Sequence, residues 1–235
     1  MIDINCDVGE GIANEHLLMP YITSCNIACG GHFGDENSMD KTIFLAMKNN
    51  VLIGAHPSFP DKDNFGRKWI KIPDEELQKS IENQLAIFQE RLLFHKATLH
   101  HIKPHGALYN AIAVDENLAN LFVNTILKYM DNVFLYVPYQ SVIEEVAKKN
   151  NIRIKYEAFA DRNYNDDLTL VNRSYENAII TDKELVFQHV SKMVFEGKVN
   201  TISGDEKHIK SDTFCVHSDT ENALEIVEYL SQKMN

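Results

Sequence analysis

The chain has 235 residues, of which 44% are apolar and 24% are charged, a composition typical of a globular protein with enough apolar material for one core. The formal net charge of −11 argues against nucleic acid or an anionic membrane surface as a partner. The sequence predicts no signal peptide, and no apolar run approaches the ~20 residues of a membrane span, so we expect a cytoplasmic protein.

Short apolar runs rich in β-branched residues alternate along the chain with stretches of helical periodicity. In chain order the sequence predicts strands at 2–7 and 24–29, a helix at 36–49, a strand at 51–56, a helix at 74–95, a strand at 99–105, a helix at 115–130, a strand at 133–138, a helix at 139–150, a strand at 152–160, a helix at 182–196, strands at 199–203 and 214–218, and a helix at 220–233. Such alternation indicates parallel strands with helices outside them. We predict one domain over residues 1–235, a distorted (β/α) barrel with seven or eight mostly parallel strands; a doubly wound open sheet is the alternative.

Two long loops, 57–73 and 161–176, interrupt this alternation. Both are rich in turn residues and contain aromatic residues and arginines, and both follow predicted strand ends. Long loops in a compact domain are usually functional or disordered. We therefore expect these two loops to cover a site.

Ionisable side chains follow the predicted strands at the points where the strands end. These residues are Asp7, His56, His105, Asp161 and His217, and Lys103 shares a strand face with His105. In a β/α barrel the carboxyl ends of all strands meet at one face, where the active site lies. Burying so many ionisable groups is unfavourable by several kcal/mol unless they pair or bind a ligand, so the pattern predicts a functional site.

The residue types alone leave several kinds of chemistry open. Asp7, His56 and His105 supply one carboxylate and two imidazoles, a set suited to a divalent metal with open positions or to general acid–base catalysis. Histidines that are hydrogen-bonded for structural reasons are the third interpretation. Lys103 is an electrophile, an anion clamp or a base if it is buried, and a solvated lysine if it lies on the surface.

Other polar residues are candidates for binding a substrate. Arg67 and Arg162, one in each long loop, could each grip a carboxylate, although solvated loop arginines are the alternative. The segment from Asn26 to Asp35, which includes His32, passes from a strand through closely spaced glycines to a helix, a geometry that can bind an anion. The chain contains neither G-x-x-x-x-G-K-[ST] nor G-x-G-x-x-G, so we expect no nucleotide site of its own.

Several motifs in register over residues 3 to about 219 resemble the LamB/YcsF family. They are Asn5-Cys6-Asp7-Val8-Gly9-Glu10-Gly11, Asn26-Ile27-Ala28-Cys29-Gly30-Gly31-His32, Gly54-Ala55-His56-Pro57-Ser58-Phe59-Pro60-Asp61, Phe65-Gly66-Arg67, Lys103-Pro104-His105-Gly106-Ala107-Leu108-Tyr109-Asn110, Phe159-Ala160-Asp161-Arg162-Asn163-Tyr164, Leu170-Val171-Asn172-Arg173 and Cys215-Val216-His217-Ser218-Asp219.

The resemblance implies opening of the lactam ring of 5-oxo-L-proline to L-glutamate, coupled to ATP hydrolysis. It also implies two partner proteins, the B and C subunits of an ATP-dependent 5-oxoprolinase, and a distorted barrel similar to that of polysaccharide deacetylases. Because this chain lacks a nucleotide motif, we expect ATP to bind wholly or partly through the partners. A homo-oligomer is compatible with the sequence.

The resemblance also implies roles for the candidate residues. In the deacetylase-like relatives a strand-end aspartate and two histidines hold a divalent metal, and Asp7, His56 and His105 match them by position. These three would bind a metal or activate water, while Lys103 and Arg162 would hold the substrate carboxylate or developing negative charge. The groups expected to bind substrate or to orient the others are Glu10, Asn26, His32, Arg67, Asp161 and His217. A metal-dependent deacetylase or amidohydrolase that acts alone, and a non-catalytic lactam-binding protein of the same complex, are the alternative functions.

Overall fold

A computed structural model describes residues 2–234, and its centre is a closed barrel of seven parallel strands. Each strand pairs with its neighbours in the sheet, and the last one pairs with both the sixth and the first, which closes the ring. The barrel strands are β1 (Ile4–Val8), β2 (Ser24–Ala28), β3 (Leu52–His56), β4 (His101–Ile102), β5 (Phe134–Val137) and β6 (Arg153–Phe159), then β9 (Thr213–Cys215), which follows the hairpin β7 (Lys198–Asn200) and β8 (Glu206–His208). The predicted barrel is confirmed, and the open sheet is wrong.

Helices follow most of the barrel strands. They are α1 (Glu15–Leu18), α2 (Glu36–Lys48), α3 (Asp74–His95), α4 (Gly106–Ile112), α5 (Glu116–Ile126), α6 (Val142–Lys149), α7 (Lys183–Glu196) and α8 (Ala223–Met234). In α3 the buried side chains recur at helical spacing, as in Leu77, Ile81, Leu85 and Phe88, so one face of the helix joins the core. No helix within residues 2–234 is both long and apolar enough to span a membrane.

The differences from the sequence prediction that bear most on the barrel concern three elements. The predicted strand at 199–203 lies outside the barrel, because β7 pairs antiparallel with β8. The predicted strand at 99–105 pairs with both neighbours only at His101 and Ile102. Pro104 has no N–H to offer a ladder, and the chain turns there into α4. The sequence did not predict α4 because its side chains are buried on nearly every face and show no amphipathic stripe.

The barrel interior is filled by polar side chains as well as apolar ones. In register, Asp7 on β1 pairs with Asn26 on β2, Asn26 pairs with Gly54 on β3, and Gly54 pairs with His101 on β4. A Cβ atom at Gly54 would lie 2.0 Å from Nε2 of His101, so the glycine leaves the space that the imidazole ring occupies. This layer lies directly below the carboxyl ends of the strands.

Candidate functional site

A cavity of about 810 Å³ opens at the carboxyl ends of the barrel strands. Both long loops contribute to its wall, which places them over the strand ends as expected. Residues that line its inner end are Asp7, His56, Lys103, His105, Glu157 and His217. The structure therefore brings together ionisable residues that lie far apart in the sequence, as the strand-end pattern predicts.

Two histidines at the inner end have their orientation fixed by main-chain carbonyls. Nδ1 of His56 lies 2.7 Å from the carbonyl oxygen of Lys103, and Nε2 of His105 lies 2.9 Å from the carbonyl oxygen of Phe65. A carbonyl oxygen can only accept, so each of these nitrogens carries a proton. Burial lowers the pKa of His105 and favours its neutral form. The remaining nitrogens, Nε2 of His56 and Nδ1 of His105, face each other at 2.9 Å.

Glu10 and His32 complete this cluster. One carboxylate oxygen of Glu10 lies 2.8 Å from Nε2 of His32, 3.2 Å from Nδ1 of His105 and 3.8 Å from Nε2 of His56. Burial raises the pKa of Glu10, but its close contacts with His105 and His32 outweigh this effect and hold the pKa well below its usual range. The His32 ring stacks on the His105 ring at 3.6 Å, and burial lowers its pKa to about 3. The glutamate is therefore ionised and His32 is neutral near pH 7.

The donor set fits a divalent metal. Ligand atoms of Glu10, His32, His56 and His105 all lie within 4.8 Å of one another. Four ligands at the ~2.0–2.1 Å typical of zinc would lie roughly 3.4 Å apart, close to the separations within this cluster. Nδ1 of His32 is buried without a hydrogen-bond partner in the described chain. The ring proton can therefore move to Nδ1, which would leave Nε2 free to bind a metal. Carboxylate and imidazole ligands suit zinc and other first-row divalent ions.

This cluster differs from the metal set expected from the sequence. His56 and His105 belong to it, but the carboxylate that lies within 4 Å of both is that of Glu10, whereas Asp7 approaches His56. Glu10 and His32, which were expected to bind substrate or orient other groups, lie in the cluster itself. Asp7 lies at its edge, with Oδ2 3.4 Å from Nε2 of His56.

Lys103 is buried beside Asp7 and has its charge matched by carboxylates. Its Nζ lies 2.8 Å from Oδ1 of Asp7, 3.0 Å from Oε1 of Glu157 and 3.1 Å from Sγ of Cys215. Burial disfavours the charge, but the negative charges of Asp7 and Glu157 raise the pKa of Lys103 well above its usual value. Burial raises the pKa of Asp7, but its contacts with His56 and Lys103 outweigh this effect and hold the pKa well below its usual value. Lys103 is therefore not a surface lysine, and its ammonium is already engaged.

Asn26 does not line the cavity, although the sequence placed it among the substrate-binding candidates. Its amide nitrogen donates to Oδ1 of Asn5 at 2.7 Å and to Oδ1 of Asp7 at 2.8 Å. Its amide oxygen lies 2.6 Å from Nε2 of His101. Asn26 thus links the layer below the site and orients Asp7.

Asp161 and His217 form a second pair at the cavity wall. The carboxylate of Asp161 accepts from the main-chain N–H of His217 at 2.9 Å and lies 3.0 Å from Nδ1 of the same residue. Burial raises the pKa of Asp161, but the charge of His217 and its hydrogen bonds lower it to about 2. Asp161 is buried and orients His217, which itself faces the cavity.

The loop arginines have different partners from those expected. Arg162 donates from Nε to the carbonyl of Ala178 at 3.2 Å and from Nη2 to the carbonyl of Val171 at 2.5 Å. It therefore braces the loop that follows β6, and the expectation that it grips a substrate carboxylate is not supported by these contacts. Arg67 forms an ion pair with Asp219.

Some residues at the cavity were not among the sequence candidates. Glu157 carried a usable signal, because it lies on β6 four residues before Asp161 and so shares its strand face. Arg173 lies in a loop, where no alternation predicts the direction of a side chain. Its partner Asp219 follows the last strand, where the sequence also places His217, and their ion pair joins the second long loop to the end of β9.

Comparisons with known proteins agree on the family of this chain. A model of the LamB/YcsF family matches residues 2–235, which confirms the resemblance of the motifs. A Pyrococcus furiosus protein, named as the A subunit of 5-oxoprolinase, is 40% identical over 99% of this chain and 93% of its own length. A Campylobacter jejuni protein of the same name is also 40% identical, over 99% of this chain and 93% of its own.

Solved structures agree with the barrel. The crystal structure of a lactam utilization protein from Thermus thermophilus is similar with a TM-score of 0.89 and 32% identity, over 98% of this chain and 96% of that one. A GH113 β-1,4-mannanase shares only 11% identity with a TM-score of 0.52, over 98% of each chain, and shows likeness of fold alone. The expected likeness to polysaccharide deacetylases stays a prediction.

Proposed function

Because this chain belongs to the LamB/YcsF family, we propose that it is the A subunit of an ATP-dependent 5-oxoprolinase, which opens the lactam of 5-oxo-L-proline to L-glutamate. The observation that carries the proposal is the buried acid–base cluster of Asp7, Glu10, His56 and His105 at the inner end of a cavity. The volume of this cavity is ample for a five-membered lactam ring. The names of the Pyrococcus and Campylobacter relatives support the assignment.

Ring opening needs a water oxygen to add to the amide carbon, while the C–N bond breaks and the departing nitrogen gains a proton. Asp7 and Glu10 are ionised at neutral pH and adjoin the imidazole of His56. That imidazole can accept the proton of the attacking water through Nε2, because its Nδ1 is held by the Lys103 carbonyl. The same proton can then pass to the departing nitrogen.

Lys103 would act on the charge that develops during this reaction. Its ammonium sits beside Asp7 and cannot leave the interior without separating two charged groups, each almost fully buried. It therefore stabilises negative charge near Asp7 electrostatically instead of clamping a substrate carboxylate.

A divalent metal in the same cluster is the second form of the proposal. Glu10, His32, His56 and His105 would hold the metal, which would supply Lewis-acid polarisation of an amide carbonyl. In that form Nε2 of His56 would be a ligand, and the neighbouring Asp7 would accept the proton of water in its place. Elemental analysis of the purified chain tests this, with metal content expected to fall in a His56→Ala, His105→Ala double variant.

The proposed reaction requires ATP because a lactam is a stable amide whose carbonyl must be activated before water can attack it. Phosphorylation of the amide oxygen by ATP, before water attack, is the route that we propose. Since the chain has no recognisable nucleotide motif, ATP would be bound wholly or partly by the B and C subunits.

Reconstitution tests this division of labour. The chain is combined with its B and C partners, and release of glutamate and phosphate is measured. The full set should turn over, whereas the isolated chain should show little or no ATP-dependent cleavage. Full turnover by the isolated chain would contradict the proposal. Loss of turnover in His56→Ala with intact 5-oxoproline binding would distinguish catalysis from a role in binding alone.

The histidine–carboxylate cluster also favours a second function, a metal-dependent amidohydrolase or deacetylase that acts alone. Hydrolysis of an acylated sugar or amide without ATP, abolished by a chelator and restored by a divalent ion, would support this function. Absence of such activity in the metal-loaded chain would exclude it for the amides tested.

A further inference from the structure

Two of the three cations expected to hold a substrate carboxylate, Lys103 and Arg162, are engaged elsewhere. Lys103 contacts Asp7 and Glu157, and two nitrogens of Arg162 donate to main-chain carbonyls. The inner end of the cavity is rich in carboxylates, since it holds Asp7, Glu10 and Glu157. An anionic substituent would be repelled there, so a substrate that carries one must place it at another part of the wall.

Two other arginines on the wall share a single carboxylate. Arg67, from the loop after β3, and Arg173, from the loop after β6, both contact Oδ2 of Asp219. Both arginines line the cavity. The Arg173 contact is 3.3 Å, and the Arg67 contact is a close ion pair. The three side chains are 40%, 27% and 25% exposed for Arg67, Arg173 and Asp219, so a solute can reach them.

The arginine pair lies close to the acid–base cluster. The guanidinium carbon of Arg67 lies 4.9 Å from the centre of the Phe65 ring, and the His105 ring lies 5.4 Å from the same centre. The main-chain carbonyl of Phe65 also holds His105. One short segment, Phe65 to Arg67, therefore reaches both the cluster and the arginines.

Positive charge is concentrated at this part of the wall. Arg162 is a neighbour of the pair, and its pKa is lowered to about 10 by burial and then by the charge of Arg173. Two guanidinium groups on one carboxylate oxygen leave donors free for a second anion.

We propose that Arg67 and Arg173 form the binding site for the carboxylate of the substrate, and that Asp219 occupies this site in the free chain and is exchanged for the substrate carboxylate on binding. The cavity would then hold a small lactam with its amide at the acidic inner end and its carboxylate at the arginines. The choice of a lactam as ligand rests on the proposed function; the arginine pair and its internal carboxylate do not.

The exchange is favourable because the internal ion pairs are partly exposed. Such pairs contribute little to stability, so Asp219 can be released at small cost. A bidentate carboxylate that bridges two guanidinium groups makes stronger, charge-assisted hydrogen bonds. The Asp219 carboxylate therefore offsets the repulsion between the two guanidinium charges until a ligand binds.

Binding of two related lactams by the full chain tests the proposal. The probes are 5-oxo-L-proline and 2-pyrrolidinone, which is the same ring without the carboxylate, and their dissociation constants are measured by ligand-observed NMR titration. We expect 5-oxo-L-proline to bind at least tenfold more tightly than 2-pyrrolidinone. Arg173→Gln should weaken 5-oxo-L-proline about tenfold, and Asp219→Asn should tighten it about threefold to fivefold, with 2-pyrrolidinone unaffected by either change.

A matched control removes a different exposed ion pair. Lys183 lies 3.6 Å from Glu225 and neither residue lines the cavity, so Lys183→Gln should leave both dissociation constants unchanged. Circular dichroism melting checks that each variant is folded, and Arg173→Lys provides a second, milder change at the same position.

Three results would overturn the proposal: no binding of 5-oxo-L-proline, equal affinity for the two lactams, or weaker 5-oxo-L-proline binding in Asp219→Asn. The proposed function fails differently. If binding is sensitive to Arg173 but the reconstituted enzyme releases no glutamate, the reaction is wrong and the carboxylate site stands. If turnover occurs with an unchanged KM in an Arg67→Gln, Arg173→Gln double variant, only the carboxylate site is wrong.

Discussion

Asp3 and Asp7 lie on the same face of the first strand region, yet their surroundings give them different tasks. Asp3 accepts hydrogen bonds from Ser24 and Thr213 and pairs with Lys155 at 2.9 Å. These contacts of Asp3 tie the lower part of the barrel together. Asp7 lies four residues further along the chain and has Oδ2 3.4 Å from Nε2 of His56. Position along the strand thus separates a carboxylate that braces the barrel from one that borders the cavity.

We expect Asp7→Asn to lower kcat of the reconstituted enzyme about 100-fold or more, because the amide cannot hold the negative charge beside His56. Asp3→Asn is the matched control, with the same chemical change on the same strand face. It should reduce stability and leave kcat unchanged. Steady-state glutamate release measures both, and equal loss of kcat in the two variants would contradict the assignment of Asp7.

Gly54 is required for a steric reason. A methyl group there would overlap the His101 ring, whose Nε2 lies 2.0 Å from the ideal Cβ position. We expect Gly54→Ala to lower the free energy of unfolding by about 1–3 kcal/mol or more, as measured by urea denaturation. At Gly204 no atom lies within 4 Å of an added Cβ, so Gly204→Ala should show only the ~1 kcal/mol effect of its positive φ. A Gly54→Ala loss no larger than that control would show that the ring moves freely.

At the scale of elements, the sequence predicted those whose side chains show a clear period. The helix from Asp74 to His95 begins and ends where its polar start and apolar spacing place it. The short helix α4 was missed because it is buried on nearly every face, and β4 is shorter than predicted because Pro104 interrupts the pattern. The β7–β8 hairpin depends on pairing between two short segments, which neither segment shows by itself.

Helix α5 begins at a side-chain cap that can be removed. Asp115 accepts a hydrogen bond from the main-chain N–H of Leu118 at 2.9 Å, which satisfies one of the free donors of the first turn. We expect Asp115→Ala to lower the free energy of unfolding by about 1 kcal/mol in urea denaturation. Asp131, whose side chain accepts a hydrogen bond from the neighbouring Asn132 and caps no helix of the described chain, provides the control. An equal effect of Asp131→Ala would show that lost charge, and not the cap, is responsible.

At the scale of the whole molecule, strand ends alone predicted the convergence of Asp7, His56, Lys103, His105 and His217. The carboxylate that contacts three histidines, Glu10, could not be ranked above Asp7 from the sequence, because Glu10 lies beyond the strand, where alternation no longer sets direction. The partners of Arg162 were equally hidden, since they are main-chain carbonyls of a loop. Sequence patterns thus located the site. Which side chains contact one another within it depends on the conformation of the loops, which the patterns do not show.

The buried histidines predict a pH dependence of stability. Burial lowers the pKa of His32 to about 3 and that of His189 to about 4, whereas a histidine of the unfolded chain titrates near 6.5. Below pH ~6.5 the unfolded chain therefore binds protons that the folded chain does not. Stability should be fully present above this pH and fall as the pH decreases towards the folded-state values, by about 1.4 kcal/mol per pH unit for each such histidine.

Urea denaturation of the metal-free chain between pH 7 and pH 4.5 measures this effect. His189→Gln is the useful variant, because His189 lies outside the cluster of Glu10, His32, His56 and His105. Its stability should fall less steeply with decreasing pH than that of the unaltered chain. Identical slopes in the two proteins would show that His189 is protonated in the folded state as readily as in the unfolded one.

The imidazoles of His56 and His105 are anchored by main-chain carbonyls, and this has a consequence for how the protein can change. The carbonyls of Lys103 and Phe65 that hold His56 and His105 exist whatever side chain stands at those positions. Point substitutions in the first long loop can therefore change the cavity wall while the two imidazoles keep their alignment. Insertions or deletions between Pro57 and Gly66 shift the path of the main chain itself, so natural variation there should consist of exchanged residues at constant length.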